Sequence, residues 1–190
     1  MRCMICESLS LKHICKTCQS NYLSPSFYKR KILGKIPVYS FYKYQDIEAL
    51  LLTKHTDLGF YIYTILAQNS FEPFAKNFEY EGTVCSLSID DHVKSGYSHT
   101  AVLNKELDYG PIKPRYAKVR ANNKVSYSGK DYQFRLLNPR NFEVKTFGEE
   151  DVILVDDIIT TGLTLTQAVQ AIEAQGKNVI FCLTLADAGK

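Results

Sequence analysis

Val152-Ile153-Leu154-Val155-Asp156-Asp157-Ile158-Ile159-Thr160-Thr161-Gly162-Leu163-Thr164 is the stretch on which the reading of this chain turns. Val152 to Val155 form a short apolar strand, and two adjacent carboxylates follow it. A turn with several hydroxyls and one glycine then leads into a helix from Leu163. A helix cap needs one hydroxyl. This turn offers three, on Thr160, Thr161 and Thr164. The backbone N–H groups of such a turn and the positive end of the helix hold phosphate. Carboxylates accept hydrogen bonds from sugar hydroxyls. A phosphorylated ribose carries both kinds of group.

The surrounding pattern sets this stretch in an α/β fold. Leu165, Ala168, Val169 and Ile172 recur at helical spacing, and Gly176 ends the helix as its C-terminal cap. Residues 178–185 read as the next strand. A second strand, loop and helix occupies 83–107, so parallel βαβ units are expected. Residues 37–44 alternate as a strand does, and a helix follows with Asp46 as N-cap. A helical pattern also runs from Phe60 to Leu66. Residues 22–35 read as a connector whose cluster Lys29-Arg30-Lys31 either touches nucleic acid or is simply solvated. In a parallel sheet, ligands bind beyond the carboxyl ends of the strands. The turn at 160–164 and the loop after Ile89 are therefore expected on one sheet edge.

The chain has 190 residues and a formal charge of +3. That length suits one α/β domain with a small appendage, and the charge alone does not demand a nucleic-acid partner. No apolar run is long enough to cross a bilayer. The N-terminus lacks the apolar segment of a secretory signal, so a cytoplasmic protein is expected.

Four of the six cysteines lie near the N-terminus, as Cys3-x2-Cys6 and Cys15-x2-Cys18. A two-residue gap turns both thiolates of a knuckle onto one ion, and two knuckles supply the tetrahedral sulfur shell of a structural Zn²⁺. Disulfides compete with this reading, but they are uncommon in a reducing compartment. His13 lies between the knuckles and is a less favoured ligand. The expected organisation is a zinc knuckle at 1–21 followed by an α/β domain at 22–190. Cys85 and Cys182 sit in apolar runs and are expected in the core.

Positive charge concentrates at about 113–140: Lys113, Arg115, Lys118, Arg120, Lys124, Lys130, Arg135 and Arg140. Tyr116, Tyr127, Tyr132 and Phe134 are interleaved with these cations. Cations neutralise phosphates and aromatic faces stack bases, so this arm suits single-stranded nucleic acid. Alternatively it is a hood over a diphosphate, which needs one or two of the cations.

The segment at 152–164 resembles the phosphoribosyl-diphosphate loop of type I phosphoribosyltransferases. That resemblance implies a parallel-sheet fold, with Asp156 and Asp157 on the ribose hydroxyls. It implies Thr160, Thr161, Gly162, Thr164 and the Leu163 amide on the 5′-phosphate. The loop at 88–94 would face the diphosphate, offering the Ser88 hydroxyl and Lys94. Asp90 and Asp91 would repel that group unless Mg²⁺ intervened. Together with the cysteine knuckles and the basic middle, the chain resembles the ComF family. Lys54 resembles the lysine that ends that family's early helix, and Arg135-x2-Asn138 with Phe142 resembles its Arg-x2-Asn pattern. Ser95-Gly96-Tyr97-Ser98 departs from the family's Arg-Gly-Phe/Tyr-Asn segment, and Lys94 is the substitute charge. The resemblance implies natural transformation: handling of incoming single-stranded DNA at the inner face of the cytoplasmic membrane, near a channel and a helicase-like partner. The alternatives are an active phosphoribosyltransferase and a ligand-responsive nucleic-acid-binding regulator. Neither the acceptor base nor the oligomeric state is legible.

Overall fold

The computed structural model describes residues 1–90, 96–123 and 132–189. In chain order the elements are α1 (Lys16–Tyr22), β1 (Tyr28–Ile32), β2 (Ile36–Lys43) and α2 (Tyr44–Leu51), then a 3-10 turn (Leu52–His55). They continue with α3 (Asp57–Asn69), α4 (Phe71–Lys76), β3 (Val84–Asp90), α5 (His99–Lys105), β4 (Ile112–Ala121) and α6 (Tyr132–Leu137). The last are β5 (Phe142–Val144), β6 (Asp151–Ile159), α7 (Leu163–Glu173) and β7 (Asn178–Asp187).

The strands form one sheet in the order β1-β2-β7-β6-β3-β4-β5. The inner pairings are all parallel, and only the outer strands β1 and β5 run antiparallel to their neighbours. The expected parallel βαβ arrangement is therefore present. β6 is central, and successive residues face opposite layers. Ile153 and Val155 pack with α2, α3, α4 and α5, while Val152 and Leu154 pack with α7. A strand buried on both faces reads as a continuous apolar run, as this one does. Cys85 and Cys182 are both buried, as expected. Burial pushes the Cys85 thiol up to about 12.

Three boundaries differ from the sequence reading. β6 does not stop at Val155 but continues through both aspartates to Ile159, hydrogen-bonded to β7 throughout. Residues 22–35 are not merely a connector, because Tyr28–Ile32 pair with β2 as an edge strand. α2 begins at Tyr44 rather than after Asp46; Asp46 lies in its first turn, where a carboxylate favours the positive helix end.

The first part of the basic stretch is sheet. Residues 112–121 are β4, parallel to β3. Between Leu87 and Ile89 the register slips, and β4 advances from Arg115 to Val119 against them. Ala117 takes a left-handed backbone (φ 52°) in this bulge. Bulges of this kind break the ladder locally and sit often beside functional sites; this one lies opposite Ser88.

Candidate functional site

The parallel strands β3, β6 and β7 end along one edge, which brings Ser88, Asp156, Asp157 and the turn after Ile159 together, as anticipated. Ser88 pairs with Val155, and Asp156 with Thr184. Ser88, Asp156 and Asp157 are all buried. Lys94, with Asp91, lies outside the described residues.

The two aspartates have different surroundings. Asp156 accepts the Asp157 backbone N–H through Oδ1 at 2.8 Å. Asp157 Oδ2 receives Lys54 Nζ at 3.0 Å and His99 Nε2 at 3.3 Å. Lys54 comes from the 3-10 turn after α2, and His99 opens α5. Burial pushes the Asp157 carboxyl up; the charges and hydrogen bonds of His99 and Lys54 outweigh it and hold the carboxyl well below the usual carboxylate range. Tyr63 of α3 completes the enclosure, with its ring 5.6 Å from that of His99. Its hydroxyl is fully buried and has no hydrogen-bond partner among the described residues. Burial, then the charge of Asp157, raises its pKa. Tyr97 fastens the 3-10 turn by donating its hydroxyl to the Lys54 carbonyl at 2.8 Å.

The turn at 160–164 is held from outside. Gly162 is the residue before α7 and has φ +80°. A Cβ there would sit 2.8 Å from Ile32 Cγ2 of β1. Glycine is therefore needed twice, for the left-handed backbone and for the close approach of the edge strand. Leu163 N–H points to Thr161 Oγ1 at 3.4 Å, and Thr166 N–H bonds the Gly162 carbonyl at 2.9 Å. Thr161 is exposed, while Thr160 and Thr164 are half-buried. Arg30 of β1 donates to the Thr160 carbonyl and to Asp187 Oδ1, both at 2.9 Å. Arg135 of α6 donates to Thr160 Oγ1 at 2.7 Å.

Sequence reasoning missed His99 and Arg30 as site residues. The spacing carries no local signal for either, because their partners are distant in the chain. It placed Lys54 only through the family resemblance.

Several of the described cations assigned to nucleic acid have partners within the chain. Arg115 pairs with Glu149, Lys118 donates to the Thr146 carbonyl at 2.7 Å, and Arg135 sits on the turn at Thr160. Lys113 and Arg120 are exposed on β4. Lys124, Lys130 and Tyr127 lie outside the described residues.

At the other end of the chain, the sulfur atoms of Cys3, Cys6, Cys15 and Cys18 lie within 4.8 Å of one another. Cys6 and Cys15 sulfurs are 3.7 Å apart, close to the edge of a tetrahedron with Zn–S bonds of about 2.3 Å. Among the described residues no cysteine is in a disulfide. Backbone N–H groups of Cys15 and Cys6 hold the Cys3 thiol down to about 6. Burial, followed by the neighbouring thiols, pushes Cys18 up. A dication would favour the thiolate at all four positions. The residues thus fit zinc. His13 is not part of this cluster and packs its ring on Tyr61 at 4.9 Å. The knuckle is also docked: Lys12 bonds Gln68 at 3.1 Å, and Asn69 donates to Gln19 at 3.0 Å.

Residues 119–190 match the model of the phosphoribosyl transferase domain. The match takes in β6, both aspartates, the turn and α7. No curated protein matches the chain. Among solved structures, a hypoxanthine phosphoribosyltransferase from Staphylococcus aureus is 16% identical, with a TM-score of 0.39 over 67% of this chain and 66% of that one. The matched stretch thus spans just under two thirds of that enzyme's length. An adenine phosphoribosyltransferase from Trypanosoma brucei, in complex with AMP, pyrophosphate and ribose-5-phosphate, is 17% identical. It covers 89% of this chain and 78% of its own, with a TM-score of 0.43. The chain has a mainly parallel α/β fold resembling type I phosphoribosyltransferases. Among the described residues no helix is long and apolar enough to cross a membrane.

Proposed function

We propose that this chain binds phosphoribosyl diphosphate at the carboxyl edge of its sheet and handles single-stranded DNA in natural transformation. One observation carries the ligand reading. A buried carboxylate pair and a hydroxyl-lined turn at the head of α7 lie side by side, in the order a phosphorylated ribose requires. Asp156 and Asp157 would be the sugar contacts, with Asp157 held in place through Oδ2 by Lys54 and His99. Thr160, Thr161, Thr164 and the amides of Gly162 and Leu163 would receive the 5′-phosphate. Mg²⁺ would arrive on the diphosphate, since such ions bind largely through substrate phosphates. The zinc at Cys3, Cys6, Cys15 and Cys18 would be structural.

The DNA role rests on the ComF-like order of knuckles, basic middle and phosphate turn, and on exposed Lys113, Arg120 and Tyr116. A cytoplasmic protein at the inner face of the membrane, beside a channel and a helicase-like partner, fits that role. Titration calorimetry with phosphoribosyl diphosphate and Mg²⁺ tests the ligand. Wild type should bind, and Asp156→Asn should lose binding while its thermal unfolding stays cooperative. Unchanged affinity in that variant would remove the assignment. Binding to single strands should weaken as salt rises, with a shallower slope in a Lys113→Gln, Arg120→Gln variant. Loss of the gene, scored by DNA uptake and by base auxotrophy, separates transport from salvage.

A second reading, an active phosphoribosyltransferase, is favoured by the His99–Asp157 pair. It puts an imidazole backed by a carboxylate at the sheet edge, where a group that can pass a proton would be useful. Diphosphate release on supplying candidate bases decides between turnover and binding alone.

A further inference from the structure

Arg135 is the one arginine of α6, and its placement is not that of a surface cation. Its Nη1 lies 2.7 Å from Thr160 Oγ1, at the lip of the turn. Phe134 and Arg135 of this helix are half-buried, whereas Leu136 and Leu137 are exposed. The helix is also tied at its far end. Asn138 Nδ2 donates to the Phe134 carbonyl at 2.9 Å, and Arg140 N–H donates to Gln167 Oε1 of α7 at 2.9 Å. The N–H groups of Asn122 and Asn123 meet the Arg140 carbonyl at 3.2 and 3.1 Å. α6 is thus hung beside the turn from α7 and the end of β4, and Arg135 joins it to the turn itself.

Thr160 is approached by two guanidinium groups in different ways. Arg30 bonds the backbone carbonyl, and its charge is met by Asp187. Its function is to brace the turn. Arg135 touches the hydroxyl, one of the groups that would receive a phosphate in this turn. A guanidinium makes shorter and stronger hydrogen bonds to a phosphate dianion than to a neutral hydroxyl, and makes them two at a time.

We infer that Arg135 is a phosphate-binding residue of this site, delivered by α6, and that a phosphomonoester in the turn fastens α6 against α7. The inference rests on the ligand site proposed above and adds a residue and a mechanical consequence to it. Thr160 holds the guanidinium in place while the turn is empty. On binding, the guanidinium bridges the ester oxygens and the hydroxyl, so ligand occupancy and the position of α6 become one equilibrium. Such coupling is reciprocal: whatever loosens α6 weakens the ligand by the same factor.

Two probes separate the phosphate groups. Ribose 5-phosphate carries only the ester phosphate, and inorganic diphosphate only the leaving group. Arg135→Gln should weaken ribose 5-phosphate and phosphoribosyl diphosphate by about tenfold or more, the worth of a hydrogen bond to a charged group, and leave diphosphate unaffected. Arg135→Lys should recover part of the loss as a point charge without the fork. In wild type, ribose 5-phosphate should slow amide exchange across residues 132–137; in Arg135→Gln that protection should vanish even at saturating ligand. A helix that merely packs near the site would show protection in both proteins. Affinities within about twofold of wild type, or protection that survives the substitution, overturn the inference while Asp156→Asn still tests the site independently. If wild type binds neither ribose 5-phosphate nor phosphoribosyl diphosphate, the site reading fails and this inference fails with it.

Discussion

Asp157 and Thr160 are near neighbours in the chain, and each is gripped by two cationic or imidazole side chains, yet the two grips differ in kind. At Asp157 the contact is buried, and its partners come from the turn after α2 and the start of α5. At Thr160 the contact is half-exposed, and its partners come from edge strand β1 and short helix α6. The first ties two helices to the middle of the sheet. The second closes the turn that the proposed ligand would enter. Removing a partner from a buried ion pair leaves a stranded charge, whereas at an exposed lip water replaces what is lost. The site therefore combines a rigid inner half with an outer half that costs little to rearrange.

The largest consequence should appear at the inner half. Asp157→Ala strands Lys54 and His99 and should destabilise the fold by about 3 kcal/mol, the lower end of the range for a broken buried pair because Lys54 is partly exposed. Urea unfolding measures this, and a loss below about 1 kcal/mol would put the clasp in the same class as a surface bridge. An alanine at both aspartates would consequently confuse lost binding with lost stability, which is why Asp156→Asn is the cleaner probe of the ligand.

A smaller effect should appear in acid. The Asp157 carboxyl is held below its unfolded value of about 4. Its contribution is complete above that pH and is lost as pH falls below it, because there the unfolded chain takes up protons that the folded chain refuses. Stability measured against pH should fall less steeply below about pH 4 in Asp157→Asn than in wild type. Equal slopes would mean that other groups set the acid limit.

The smallest should be Thr160→Ala. Its carbonyl keeps Arg30 and only the hydroxyl contact with Arg135 is lost, so stability should change by about 1 kcal/mol or less. A loss equal to that at Asp157 would abolish the distinction between the two halves.

What the sequence disclosed follows the same division. The turn, the helix after it and the cysteine knuckles are local patterns, and residues 152–176 and 3–18 carry them without help. The clasp joins positions far apart in the chain, and no period or spacing connects Lys54, His99 and Asp157. β6 overruns its apolar core because β7 goes on pairing with it past Val155, through Asp156 to Ile159, so carboxylates that look like a loop are sheet. β1 looked like a connector because edge strands carry charge to discourage further pairing; Lys29, Arg30 and Lys31 do so here. β4 was masked by its cations and its bulge, which blur the alternation that marks a strand.

The knuckle's burial has a practical consequence for anyone dissecting the chain. Cys3, Ile14, Cys18 and Leu23 belong to the same apolar cluster as Ile62, Leu66 and Phe71 of α3 and α4. Cutting the first 21 residues away would not liberate an independent lobe. It would unroof the helical layer behind the sheet and leave a sticky, aggregation-prone face, so thiol oxidation or chelation at the amino terminus should be felt as insolubility of the whole molecule.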